Sequence, residues 1–225
     1  MSILMIVPTR GRPHNAKELI ESWEDTINVG QSDLLLAVDE DDPKLAEYQA
    51  LSLPLGVRLT VGSRLRLGGT LNRAATWEAP YYTALGFMGD DHRFRTPGWD
   101  TTFNDKLFEL GDFGVVYGND LLQGAALPTA VVLSSDIVEI LGYMAPPGLI
   151  HFYLDNFWKD LGNALGTLEY FPEVIIEHMH PGAGKAPSDA GYQEVNTFDT
   201  ADHARYDEYL ATQFNEDVRR LKDGS

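Results

Sequence analysis

The sequence predicts an α/β fold in one domain, with a mostly parallel central sheet flanked by helices. Three observations predict it. Short apolar runs alternate with segments of helical period through the first half of the chain. Acidic residues close two of the predicted strands, at Asp39 and at Asp90-Asp91, and ligands of such sheets bind beyond the carboxyl ends of the strands. The length of 225 residues, 44% of them hydrophobic, suits one substantial core.

Taken in order, 3–7 reads as a buried strand and 15–26 as a helix with Leu19, Ile20 and Trp23 on one face. A second strand, 33–38, runs into Asp39-Glu40-Asp41-Asp42-Pro43, and a short helix follows over 45–51. Strand 57–61 and helix 70–79 come next, the helix stopped by Pro80. Strand 82–88 then delivers Asp90 and Asp91. The second half is more mixed. It reads as helix 99–110, strands 114–117 and 129–133, helix 135–141 capped by Ser134 or Ser135, a loop over 142–149, helix 152–165, strand 173–180, a Gly/Pro/Ala loop over 181–188 and a terminal amphipathic helix over 205–221.

Composition narrows the function. There are no cysteines, so disulfides and thiolate metal sites are excluded and any metal must sit on carboxylates and histidines. A cytoplasmic setting is compatible with this. No apolar run approaches the ~20 residues of a membrane span. The apolar start, Ile3–Pro8, lacks a basic flank and is too short for a signal peptide, so it reads as the first strand. Net charge is -17, with 34 acidic residues against 17 basic. Residues 1–95 carry -3 of it and residues 96–225 carry -14. That balance disfavours a broad nucleic-acid surface, while leaving room for a local basic pocket built from Arg10, Arg12, Arg64, Arg66, Arg73, Arg93 and Arg95.

Two segments carry chemistry. Adjacent carboxylates at the end of a buried strand are costly unless a cation sits on them, so Asp90-Asp91 points to a divalent metal that itself holds a diphosphate. The loop Pro8-Thr9-Arg10-Gly11-Arg12-Pro13 follows the first strand. Gly11 allows a tight turn, and Thr9 with the arginines suits a nucleobase, ribose or phosphate. Neither G-x-G-x-x-G nor a P-loop is present. Late in the chain, His178 and His180 are spaced to share one face of a strand.

The order Ile6–Pro13, Ala37-Val38-Asp39, Leu67-Gly68-Gly69-Thr70-Leu71-Asn72-Arg73 and Phe87-Met88-Gly89-Asp90-Asp91 resembles the family-two-like GT-A glycosyltransferases. The likeness spans about residues 3–182. It departs from the common Asp-x-Asp pattern by carrying Gly89, which leaves the division of roles between Asp90 and Asp91 open. The resemblance implies a GT-A fold and transfer of a sugar from a nucleoside-diphosphate sugar, UDP-sugar favoured, to a hydroxyl acceptor, with Mn2+ or Mg2+ on the diphosphate. It implies Thr9, Arg10 and Asp39 on the nucleoside, with Pro8 and Arg12 of the same loop against the nucleotide-sugar. It places Arg66 and Asn72 near the sugar-diphosphate, Asp90 against ribose or sugar, and Asp91 on the metal with His178 or His180. Asp155 stands where inverting members carry their catalytic base, and Lys185 stands on a lid loop, within reach of a phosphate when that loop closes. Trp99, Tyr117, Asp120 and Trp158 are candidates for acceptor or sugar contacts.

By the same likeness, residues 1–95 form a nucleotide-sugar-binding half, 96–182 an acceptor and catalytic half, and 183–225 the lid loop and C-terminal helix. The acceptor is open: a glycan, a protein, a small molecule or a hydroxylated pyrimidine in DNA. A nucleotidyltransferase would carry a more Gly-rich basic first loop, and Pro8–Pro13 has one glycine. A non-catalytic nucleotide-sugar-binding or structural protein is the rival from another class.

Overall fold

The first strand, β1 (Ile3–Thr9), is buried on both faces, and its alternation decides the layering. Leu4 and Ile6 point into one core cluster, and Ile3, Met5 and Val7 into the other. Each fully buried Leu or Ile adds roughly 1.5–3 kcal/mol relative to exposure, so a strand apolar on both sides stays central. The computed structural model describes residues 2–111, 113–185 and 194–224.

Eight strands form one sheet in the order β3-β2-β1-β4-β7-β6-β8-β5. They are β1, β2 (Ser32–Asp39), β3 (Val57–Gly62), β4 (Ala84–Phe87), β5 (His92–Phe94), β6 (Val115–Asn119), β7 (Val131–Ser134) and β8 (Leu168–His178). The pairs β3-β2, β2-β1, β1-β4 and β6-β8 are parallel; β4-β7, β7-β6 and β8-β5 are antiparallel. The helices are α1 (Pro13–Glu24), α2 (Leu45–Gln49), α3 (Arg66–Glu78), α4 (Trp99–Glu109), α5 (Ser135–Leu141), α6 (Leu154–Leu165), α7 (Asp199–Thr212) and α8 (Phe214–Gly224). Leu71, Ile137, Trp158, Tyr206 and Leu221 carry α3, α5, α6, α7 and α8 into one core cluster; Leu19, Trp23, Tyr48 and Phe103 carry α1, α2 and α4 into the other.

Four departures from the sequence reading have physical reasons. Helix α3 starts at Arg66 and includes Gly68 and Gly69. A Cβ on Gly68 would lie 2.2 Å from the Leu149 carbonyl oxygen, and Gly68 N donates to Ile150 O at 3.0 Å. The glycine therefore serves close packing of the helix start rather than a loop. Strand β8 begins earlier than expected and slips register against β6, where Gly118 faces Phe171 and Asn119 faces Ile175. Pro172 lies in that slip and has no N–H for the ladder. His180 falls outside β8. Strand β5, three residues long, is too short to carry a period, and it pairs antiparallel with the C-terminal end of β8. The expected single C-terminal helix is two, broken at Gln213, and this turns buried Asp217 toward the hydroxyls of Tyr143 and Tyr209.

Candidate active site

Beyond the carboxyl ends of β1, β2 and β4 lies a cavity of about 670 Å3. The loop after β1 forms one wall. Gly11, at φ +70°, turns the chain, and its N–H donates to Asp42 Oδ2 at 2.8 Å. Arg10 donates to Asp39 at 3.0 Å and to Asp41 at 2.6 Å. Thr9 Oγ1 donates to Asp90 Oδ2 at 2.6 Å, and Arg12 Nη1 lies 3.4 Å from the other oxygen. These contacts join the first loop to the acidic turn after β4.

That turn holds the most perturbed groups. Burial, then the neighbouring charge of Asp91, pushes the Asp90 carboxyl up to about 6, against the pull of Arg12 and Thr9. Burial also works against Asp91, but the imidazoles of His178 and His92 outweigh it and hold that carboxyl well below its usual range. Cross-strand register brings the two histidines together: His92 pairs with His178, and their rings stack with centroids 4.1 Å apart. Asp91 Oδ1 is 3.3 Å from His92 Nδ1, and Asp91 Oδ2 is 3.4 Å from His178 Nε2.

Ligand atoms of Asp91, His92 and His178 all lie within 4.8 Å of one another. The Nδ1 atoms of His92 and His178 are buried and have no hydrogen-bond partner among the described residues. Orphaned buried nitrogens are rare and costly; a cation beside Asp91 would engage His92 Nδ1, 3.3 Å from Asp91 Oδ1, and would meet His178 through Nε2, 3.4 Å from Asp91 Oδ2. One carboxylate and two imidazoles fit a metal of Mn2+ type better than Mg2+, which prefers an all-oxygen shell. Behind the cluster, Asp120 Oδ2 lies 3.9 Å from His178 Nδ1. Its Oδ1 accepts the N–H groups of Leu122, Gln123 and Gly124 at 2.7–2.9 Å.

The opposite wall comes from the start of α6 and the loop before it. Burial raises the Asp155 carboxyl and pushes the neighbouring His151 imidazole down to about 4, so His151 is neutral near pH 7. Asp202 of α7, fully buried, organises this loop by accepting the N–H groups of Ile150, His151 and Phe152 at 2.8–3.0 Å. The non-glycine residues with left-handed backbone among the described residues are Arg66, Leu121 and Tyr153. Each lines the cavity or adjoins a residue that does. Strained backbone of this kind persists where surrounding contacts over-determine it, often at ligand sites.

Of the residues singled out from sequence, Pro8, Thr9, Arg10, Arg12, Asp39, Arg66, Asp90, Asp91, Asp155, His178 and His180 all line the cavity. Asn72 does not. Its Oδ1 accepts the N–H groups of Met144 and Ala145, each at 2.9 Å, and its Nδ2 donates to Ala145 O, so its amide ties α3 to that loop. Lys185 also stands outside the lining and pairs with Glu177 at 2.8 Å; residues 186–188 of the expected lid loop lie outside the described residues. His180 sits beside His178, ring centroids 5.1 Å apart, and its Nδ1 accepts from Gly182 N. The close group contains His92 in its place. Trp158 lines the cavity, whereas Trp99 and Tyr117 are core residues. Sequence reasoning did not assign His92, His151 or Glu194 to the site, and it named Arg64 only among the arginines of a basic pocket. His92 had a local signal, its place directly after Asp91; His151 and Glu194 depend on long-range packing.

No family model and no curated protein matches the chain. Solved structures do match its fold. S. aureus TarS 1-349 superposes with a TM-score of 0.60 at 13% identity over 78% of this chain. The same fragment is known in complex with UDP and with UDP-GlcNAc. This is a GT-A-like glycosyltransferase fold. The mannosyltransferase PcManGT from Pyrobaculum calidifontis, in complex with GDP-Man and Mn2+, gives 0.59 at 13% identity, covering 98% of this chain and 73% of that one. A protein from Desulfovibrio desulfuricans G20 described as a nucleotide-diphospho-sugar transferase gives 0.52 at 13% identity, covering 91% and 98%. The chain spans 59% of the length of TarS 1-349. Among the described residues no helix is long and apolar enough to cross a membrane.

Proposed function

We propose that this protein is a metal-dependent glycosyltransferase that moves a sugar from a nucleoside-diphosphate sugar to a hydroxyl acceptor. One observation carries the reading: a single cavity gathers the arginine-rich first loop, the Asp91/His92/His178 cluster and the buried carboxyl of Asp155. The fold neighbours bind UDP, UDP-GlcNAc or GDP-Man, one of them with Mn2+. UDP-sugar is the favoured donor. Thr9, Arg10 and Asp39 face the nucleoside, with Pro8 and Arg12 on the same wall, and Asp90 faces ribose or sugar. Asp91, His92 and His178 would hold Mn2+, which supplies charge neutralisation for the departing diphosphate.

Asp155 acts as the general base. Its carboxylate takes the proton of the acceptor hydroxyl as that oxygen bonds to the anomeric carbon, and the bond from that carbon to the diphosphate oxygen breaks with its electron pair leaving on the diphosphate. Inversion of the anomeric centre follows from attack opposite the leaving group. Burial raises the Asp155 carboxyl, which brings it closer to the working range of a base near neutral pH. Residues 1–95 would supply the donor side and 96–182 the acceptor and catalytic side, with 183–225 as the lid loop and C-terminal helix.

The test is thermal unfolding with and without Mn2+ across UDP, GDP and their sugars, on the wild type and on Asp91→Ala. A ligand that binds only the native state raises the midpoint. A Mn2+-dependent rise in the wild type, lost in a folded Asp91→Ala, is the expected result. Absence of any rise in the wild type would defeat the reading.

A further inference from the structure

The two arginines that sequence spacing places side by side, Arg64 and Arg66, are already engaged, and by a residue from far along the chain. Glu194 receives both Nη2 contacts of Arg64, at 2.9 and 3.0 Å, and a close contact from Arg66 Nη1. All three residues line the cavity. The neighbouring carboxylate, Asp39, is 3.8 Å from Arg64 Nε and already accepts from Arg10. Two guanidinium groups and a single carboxylate thus meet in the lining of a cavity of about 670 Å3.

We infer that Glu194 is a built-in competitor for the donor, its carboxylate occupying the Arg64–Arg66 pair that takes the donor's diphosphate. This rests on the nucleotide-sugar reading of the cavity. A diphosphate brings more charge and more acceptor oxygens than a carboxylate, and forked guanidinium donors match it well. The exchange is local. The Glu194, Arg64 and Arg66 side chains are 42%, 27% and 38% exposed, so the carboxylate swings into water without opening the core. A pair this exposed holds weakly, which makes displacement feasible. Arg66 keeps its place when the carboxylate leaves. Its backbone is held at φ +63°, and its guanidinium lies over the Phe198 ring, 5.3 Å from the centroid. The contact with Arg66 also holds the Glu194 carboxyl below its usual range, so the competitor is charged at neutral pH.

The consequence is a lowered apparent affinity for the donor, by the fraction of molecules in which the arginines are free to take it. Isothermal titration of UDP and, in parallel, GDP, each with Mn2+, into the wild type and Glu194→Gln tests this. Removing the charge should tighten binding about five-fold, with Glu194→Asp close to wild type. Uridine is the control, since it carries no phosphate, and its affinity should not change. Equal or weaker nucleotide binding by folded Glu194→Gln overturns the inference, because it makes Glu194 a structural pin or a helper of the site. An equal gain for uridine also overturns it, by moving the competition off the diphosphate. Wild type and variant both failing to bind any nucleotide overturns the donor reading, and the inference with it; equal binding by the two overturns the inference alone.

Discussion

Asp202→Asn replaces one oxygen on α7 and should loosen the wall of the cavity that carries Asp155. The carboxylate is fully buried. Its Oδ1 accepts from Ile150 N at 3.0 Å, and its Oδ2 from His151 N at 2.8 Å and Phe152 N at 2.9 Å. An asparagine has one acceptor oxygen. Its best orientation keeps that oxygen on His151 and Phe152 and turns its NH2 against the N–H of Ile150. The stranded N–H costs about 1–3 kcal/mol, and two hydrogen bonds that lose their charge weaken by about 1 kcal/mol each. The contact from half-exposed Arg205, at 3.1 Å, adds little. The sum is about 3–5 kcal/mol, a large part of the roughly 5–15 kcal/mol that holds a domain together. Urea unfolding of both proteins, with the shift in midpoint multiplied by the slope, measures it. The same variant should bind donor and Mn2+ near wild-type strength at low temperature while losing turnover, since the displaced loop leads into Asp155. A loss of stability below about 1 kcal/mol would refute the claim that this carboxylate organises residues 150–152.

Two further perturbations follow from the same packing. His151, held neutral by burial with its pKa at about 4, binds fewer protons folded than unfolded below its ordinary value near 6.5. Its contribution is therefore fully present above pH 6.5 and is lost as pH falls toward 4, by at most about 3 kcal/mol; wild type should lose more stability than His151→Gln between pH 7.5 and 4.5 in metal-free urea titrations, and equal slopes would count against it. Gly68→Ala would set a Cβ 2.2 Å from the Leu149 carbonyl oxygen, so α3 or the 149–152 loop must shift, at a cost of about 1–3 kcal/mol; an unchanged melting midpoint would show that this close approach is not tight.

Much of the first half was legible because its signals are local. The two-sided apolar run of β1, the acids closing β2 and β4, and the Pro8–Pro13 loop are short-range patterns, and they sufficed to place the first loop, Asp39, Asp90 and Asp91 on one cavity. Asn72 shows where local reading ends. A helix position near a glycine-rich segment looked like a ligand contact, but the loop at Met144 and Ala145, invisible from residue 72, engages its amide. The packing reason for Gly68 is equally distant, a carbonyl eighty-one residues on.

By itself the sequence determined the layer architecture, the sheet face that carries ligands and the acidic pair that invites a cation, because side-chain period and strand-end chemistry are properties of neighbouring residues. Only the tertiary structure decided which histidine joins Asp91. His92 and His178 meet because β5 pairs antiparallel with the C-terminal end of β8, eighty-odd residues on. Only it brought Asp202 under the 150–152 loop and Glu194 between Arg64 and Arg66. Those contacts join residues fifty or more apart, and their partners are selected by strand register and helix packing, which no local pattern encodes.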